Sequence, residues 1–366
     1  MFRRVIKSPR LALPVAVATV VPSCVLLRGV ASKATPLDIP AGASRLSGAR
    51  AVVVGGTSGI GHGIAVRLAQ AGASVTVVGR DTERGLSVVR ELESTGVCSG
   101  HEFVPCDASV LANAKSFAAR FNAAHPGLDV LVLTQGIASM DGRHETSEGI
   151  DRKLALHYYS RVAFAVNLLP LLRQSARGGA VLSVLSAGVH APYEGYAADP
   201  ELHRSYSLKN AADAAGFYND CAWDAMSRQE EAGSDSKSSS VTFIHAAPGI
   251  VATRWGQTDM PWPVRLLLRA LMPLVGRSIY DCGLVMIDPL MQPRNAATSG
   301  SGRSGLVLMD AQGRQAKLTA LQDAARDHVW GATEALLRRV GAWPDDGTSA
   351  HTGNFKFKAL GNSDKK

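Results

Sequence analysis

The residues whose type and spacing most directly imply chemistry are the glycines of Val54-Gly55-Gly56-Thr57-Ser58-Gly59-Ile60-Gly61. They join an apolar run to an amphipathic one. Glycines at such a junction let the backbone turn tightly and bring a pyrophosphate up to a helix N-terminus, where free N–H groups and the helix dipole favour anions. An ordinary glycine-rich turn and the glycine turn of an S-adenosylmethionine methyltransferase are the competing readings. A second strand ending at Gly79-Arg80 favours a dinucleotide site built from Gly55, Thr57, Ser58, Gly59, Ile60 and Gly61. An NAD site wants an acid at the end of that second strand, for the ribose 2′-hydroxyl. Here Arg80 offers instead a bidentate contact to a 2′-phosphate and a surface for stacking on adenine. NADP(H) is therefore expected over NAD(H), although the glycine turn carries no basic residue. Read blandly, Arg80 is a solvated side chain before a helix that Asp81 caps.

These residues need a scaffold, and the pattern from residue 50 onward supplies one. Short Val- and Leu-rich runs at 50–54, 74–78, 102–105, 129–133, 180–185, 241–246 and 305–308 read as strands buried on both faces. Helix-length stretches at 59–71, 82–95, 109–124, 148–176, 204–232 and 260–292 lie between them. The expected fold is one Rossmann-type α/β domain, a doubly wound parallel sheet of about seven strands with helices on both faces. It would span 46–343, with surface loops at 233–240 and 295–305 and a disordered basic tail at 344–366.

Composition agrees with such a core: 46% of the 366 residues are hydrophobic, 19% charged and only 6% aromatic. The net charge of +8 sits at the ends. Residues 1–35 hold six basic and no acidic side chains, and residues 351–366 hold four lysines against Asp364. Taken off 39 basic and 31 acidic residues, these leave 29 and 30, a body near −1 that offers no groove for nucleic acid. Residues 1–45 read as a targeting or anchoring segment. Their Arg-rich, acid-free start suits a mitochondrial presequence. The apolar run 11–27 suits an anchor in the endoplasmic reticulum or another membrane, although Pro14 and Pro22 interrupt it. A secretory signal is the third reading. The five cysteines are scattered without metal-ligand spacing, as free thiols in a reducing compartment would be, and no metal site is expected.

Over residues 46–310 the chain resembles the short-chain dehydrogenase/reductase family. Gly55-xxx-Gly59-Ile60-Gly61 matches its TGxxxGIG, with Val54 in place of the usual Thr. Asp107, after Cys106, matches its adenine-contacting Asp. Pro248-Gly249-Ile250-Val251-Ala252-Thr253 matches the PGxVxT segment that holds the nicotinamide carboxamide; Pro248, Gly249, Val251 and Thr253 carry that match. With three motifs in order at strand ends, the methyltransferase reading falls away. The usual NNAG is here Leu133-Thr134-Gln135-Gly136, so Gly136 keeps the close backbone approach while the Asn contacts are lost.

The resemblance also implies a catalytic set. Ser186, closing the fifth strand, matches the serine that hydrogen-bonds the substrate oxygen. His157 stands where many members carry a relay Asn and would pass a proton through water. The family's YxxxK is here Tyr206-Ser207-Leu208-Lys209, one residue short. Residues three apart on a helix still neighbour each other, so Tyr206 as acid/base with Lys209 beside it is the preferred pairing. Strict alignments would instead put Asn210 in the lysine position or Ser205 in the tyrosine position. His190, Tyr193 and Tyr196, in the stretch between Ser186 and Tyr206, are candidate substrate contacts or plain loop residues. The apolar segment 260–290 reads as a lid over a lipophilic substrate or as a packing helix. The implied activity is NADP(H)-dependent hydride transfer to or from a retinoid-, steroid- or lipid-like carbonyl or alcohol. The alternative is a catalytically impaired NADP(H)-binding scaffold or redox sensor. By analogy with the family, a homodimer would form through 148–176 and 204–232.

Overall fold

The structure, a computed structural model, describes residues 44–233, 241–253, 262–292 and 305–345. The expectations for residues 1–43, for the loop cores at 234–240 and 295–304 and for the tail beyond 345 lie outside these residues, including the apolar run 11–27. Among the described residues, no helix is long and apolar enough to cross a membrane.

Seven strands form one parallel sheet: β1 (Arg50–Val54), β2 (Ser74–Gly79), β3 (Glu102–Pro105), β4 (Val130–Leu133), β5 (Ala180–Val184), β6 (Thr242–Ala246) and β7 (Leu306–Met309). Their order, β3-β2-β1-β4-β5-β6-β7, is the doubly wound arrangement expected from the sequence. The chain reverses its winding direction between β1 and β4, and the carboxyl ends of these two neighbours open a crevice.

The helices cover both faces. On one side lie α1 (Gly59–Gln70), α2 (Thr82–Glu93) and, after α7 (Trp262–Val275), α8 (Ile279–Met291). On the other lie α3 (Ala112–Ala124), α4 (Arg152–Leu154), α5 (Ser160–Arg173), α6 (Leu208–Gly233) and α9 (Ala320–Arg339). Each face buries its own apolar cluster. Trp223 of α6, fully buried, stacks on Phe243 of β6 with centroids 6.0 Å apart, a contact contributing about 2–3 kcal/mol.

Helix boundaries differ from the periodicity where polar side chains intervene. Asp151 accepts from the backbone N–H of Lys153 and Leu154, so the long helix expected from residue 148 starts at Arg152 and then passes through a π turn, Ala155–Tyr159. The helix expected at 260–292 breaks in two, because the Ser278 side chain accepts from Asp281 N–H and starts a new helix. Helix α9 has no counterpart in the expected pattern. Its Thr319–Gln322 capping box, with Asp323 in the first turn and Arg338 and Arg339 in the last, is a complete pair of helix-end signals. α9 lies on α6 and the π turn, where Arg326 pairs with Asp224 at 3.1 Å and Thr333 shares a hydrogen bond with Tyr158. α9 thus covers part of α6, one of the two helices expected to pack against a second copy.

Candidate active site

The floor of the crevice is backbone. Gly55 sits at φ +81°, and a Cβ there would stand 2.7 Å from Gln135 N and 2.9 Å from the Thr134 carbonyl carbon. A side chain at Gly61 would run into Thr134 Oγ1 and the Gly55 carbonyl. Thr134 closes the seam between the two loops by donating its hydroxyl to Val54 O at 2.8 Å. Ser58 is the N-cap of α1, and its side chain makes no capping bond. Thr253 stands against Gly59, so the segment 248–253 reaches the same turn. Backbone bonds between Ile250, Ala252 and Arg277 hold that segment in place. Glycines without side chains, a helix N-terminus and a threonine opposite them fit a dinucleotide pyrophosphate.

Beside this floor an open cleft of about 340 Å³ is lined by Arg80, Cys106, Asp107, Asn113 and Arg120. Asp107 holds its own turn, accepting from Ser109 N–H and Oγ on one carboxylate oxygen. Asp81 caps α2, as the bland reading of this stretch expects. Among the described residues, neither Arg80 nor Arg120 has an ion pair or hydrogen bond, so two guanidiniums face the cleft unneutralised. Burial pushes the Cys106 thiol up to about 11, and Cys106 lines the cleft as an apolar group.

The loop after β4 is held differently from the family pattern. The expected loss of Asn contacts is made good by Thr134 and by Arg161 of α5. Arg161, 1% exposed, donates to Leu133 O, Val184 O, Ser183 Oγ and Gln135 O, tying the ends of β4 and β5 together. His157, in the π turn, accepts the Ile137 N–H at 2.9 Å through Nε2, just beyond Gly136. Burial, with the charges of Arg161 and Lys153, pushes the His157 ring down to about 3. In the fold it is a neutral acceptor that anchors the loop, and a proton on it is disfavoured.

Ser186 is gripped by two histidines. Its N–H donates to His245 Nε2 at 3.3 Å, and its carbonyl accepts from His190 Nδ1 at 2.9 Å. Asp220 of α6 backs both rings and receives Gln322 of α9 at 2.6 Å. The Ser186 hydroxyl, against Gly216, is buried without a hydrogen-bond partner, so no bond joins it to Tyr206. His190 therefore serves this network. Tyr193, 6% exposed, packs on Tyr218, and Tyr196 packs on Phe217.

Tyr206 precedes α6 and does not lie on it. The loop before it is organised by Asp199, which accepts from the N–H groups of His203, Arg204 and Ser205 and from Ser205 Oγ. Burial works to raise the Asp199 carboxyl, and these bonds outweigh it and hold the group at about 2. Leu202, buried at φ +55°, fixes the turn. The Tyr206 hydroxyl accepts from Lys153 Nζ at 3.1 Å. Lys209 is not brought to Tyr206: its side chain is 74% exposed and pairs with Asp213 at 2.6 Å, one turn along the helix. Asn210 donates to Ser205 O.

The structure thus gathers Gly55, Thr57, Ser58, Gly59, Ile60, Gly61, Gly136 and the segment of Pro248, Gly249, Val251 and Thr253 around one crevice, with Arg80 and Asp107 in the adjoining cleft. It adds Lys153, Arg161, Asp220 and His245. No local spacing marks these four, since each meets its partner through the fold. The place of Lys153, four residues before His157, is the one legible hint.

A family model for short chain dehydrogenases matches residues 49–198. "Oxidoreductase AN1596" of Emericella nidulans is 34% identical over 61% of this chain and 65% of its own length, so the chain spans just under two thirds of that relative. Polyprenol dehydrogenase of Mus musculus is 28% identical over 82% of the chain and 86% of its own. Among solved structures, the Pseudomonas aeruginosa RhlG/NADP active-site complex aligns with a TM-score of 0.50 at 24% identity, covering 75% of this chain and 98% of that one. With the parallel sheet, its switch-point crevice and the glycine turn, these likenesses make the chain similar to short chain dehydrogenases over residues 49–198.

Proposed function

We propose that the chain is an NADP(H)-dependent oxidoreductase acting on a lipophilic carbonyl or alcohol. The observation that carries this reading is the glycine-floored crevice continuing into a cleft where Arg80 and Arg120 stand unneutralised. Two guanidiniums suit a ribose 2′-phosphate, and the carboxylate beside Arg80, Asp81, is taken up in capping α2. When bound, the cofactor would supply a hydride, a proton with two electrons, to the carbonyl carbon. Tyr206 supplies the proton to the carbonyl oxygen, which completes the alcohol, and takes it back in oxidation. The Ser186 hydroxyl, which has no hydrogen-bond partner among the described residues and lies against Gly216, would have to turn toward the crevice to orient that oxygen. His157 fixes the loop over the crevice, and Lys209 stays outside. The lipophilic substrate is supported by α7, which exposes Trp262, Leu266, Leu267, Leu271 and Val275, and by the polyprenol-directed name of one relative.

The separation of Ser186 from Tyr206 favours a second reading, an NADP(H)-binding scaffold or redox sensor without efficient turnover. Nicotinamide fluorescence and a panel of aldehydes, ketones and long-chain alcohols separate the two. Under the first reading Tyr206→Phe keeps NADPH binding and loses turnover by roughly 10²-fold or more. Full turnover in Tyr206→Phe removes Tyr206 from the chemistry. NADPH binding with no turnover by the unaltered protein establishes the scaffold.

A further inference from the structure

We infer that Lys153, on α4, is the positioning cation of Tyr206, taking the place that a lysine on the tyrosine's own helix would fill. The inference rests on Tyr206 being the acid/base proposed above. Lys153 is 9% exposed, and its ammonium donates to Asp141 O at 2.8 Å as well as to the Tyr206 hydroxyl at 3.1 Å. An ammonium has no acceptor, so in this contact the phenol oxygen accepts and its own proton is left to point elsewhere, toward a substrate. When that proton leaves, a positive charge about 3 Å away stabilises the negative oxygen that remains. No carboxylate pairs with Lys153 among the described residues, so its charge is not spent on a partner. The Asp141 carboxylate is fully exposed and bonded to Ser139; Asp151 caps α4; Arg152 and His144 lie on the Asp141 side. On the inner side Lys153 faces His157, whose ring it helps to keep neutral. Lys209 has the opposite surroundings: water, and Asp213 at 2.6 Å.

The test uses the full chain in Lys153→Met, Lys153→Arg, Lys209→Met and Tyr206→Phe forms. Two readouts are followed: the pH profile of kcat/KM, and the ultraviolet tyrosinate signal that Tyr206→Phe removes. Lys153→Met should retain NADPH binding and lower kcat by roughly 10²-fold. Its profile and the Tyr206 tyrosinate signal should both move to higher pH, and Lys153→Arg should restore most of the turnover. An unmoved profile and signal in Lys153→Met overturns the inference, and so does a shift produced by Lys209→Met instead. If Lys153→Met does not fold, Lys153→Arg decides. Turnover within a few fold of the unaltered protein supports a required cation; turnover as low as Tyr206→Phe, with NADPH still bound, overturns it. Full turnover in Tyr206→Phe is the failure of the parent reading, and the tyrosinate signal then still reports whether Lys153 acts on the phenol.

Discussion

The proposed cofactor side and the proposed proton-transfer side of the crevice are built on different principles. On the first, the working parts are backbone: glycines at strand ends, the N-terminus of α1, and a segment pinned by main-chain bonds to Arg277. On the second, they are side chains drawn from separate elements: Lys153 from α4, Tyr206 from a loop, Ser186 from the end of β5, His245 from β6 and Asp220 from α6. A backbone site depends on local chain order and tolerates no change of residue type. A side-chain site can exchange one partner for another on a neighbouring helix and keep the same charge at the same place. On the reading proposed above, the glycine turn keeps its spacing because it is backbone, while the cation beside Tyr206 comes from another element.

The largest effect should come from breaking the backbone side. In Gly55→Ala the residue must hold φ +81° and bring Cβ to 2.7 Å from Gln135 N. The left-handed conformation alone costs about 1–2 kcal/mol, and relief of the clash opens the seam between the β1 and β4 loops. NADPH binding should weaken by roughly 10²-fold or more, about 2.7 kcal/mol, and the melting temperature should fall. Binding within threefold of the unaltered protein would mean that the glycine floor does not hold the cofactor, and the contrast between the two sides would collapse.

That contrast also explains what the sequence makes legible. The seven strands are readable because Val- and Leu-rich runs buried on both faces have few alternatives, and the glycines follow from their position after β1. The start of α6 is not readable. Helical periodicity runs on through Tyr206; Asp199, seven residues earlier, and Ser207, whose hydroxyl accepts the Asn210 N–H, show why the chain stays in a loop until Leu208. Lys209 looks like the partner of Tyr206 because spacing along one helix is all a sequence displays. The burial of Lys153 and the exposure of Lys209 belong to tertiary structure. Arg161 is invisible for the same reason: an arginine inside an apolar helix pattern gives no sign that four oxygens from β4, β5 and the following loop await it.

A smaller effect sharpens the role of His157 as anchor. Its ring has a pKa near 6.5 in the unfolded chain and about 3 in the fold. Above pH 6.5 neither state binds the proton, and the group leaves stability unchanged. As the pH falls toward 3, the unfolded chain takes up a proton that the fold refuses, and stability drops by about 1.4 kcal/mol per unit. At pH 4.5 the loss is about 2.7 kcal/mol. In His157→Asn the amide oxygen is able to accept the Ile137 N–H without titrating. Denaturant unfolding at pH 7 and 4.5 should therefore show this loss only in the unaltered chain, with the His157→Asn variant gaining on it by that amount in acid. Asp199 and His245 titrate in both proteins and cancel. An equal acid loss in both would mean that His157 is protonated in the fold and free to relay protons.

The smallest effect tests the border between the two sides, where, on the proposed reading, a side chain would select among cofactors that the backbone binds alike. Arg80 is exposed, so water screens its charge, and its contribution should be one charge-assisted contact and no more. Arg80→Ala should weaken NADPH by about tenfold, roughly 1.4 kcal/mol, and leave NADH within twofold. Arg120 lines the same cleft, so the double variant Arg80→Ala/Arg120→Ala should close most of the remaining gap between the two cofactors. If Arg80→Ala weakens NADPH and NADH equally, Arg80 acts on the adenine they share, by stacking. The 2′-phosphate would then lie elsewhere, and the cleft would select for the base while leaving the choice between NADP(H) and NAD(H) open.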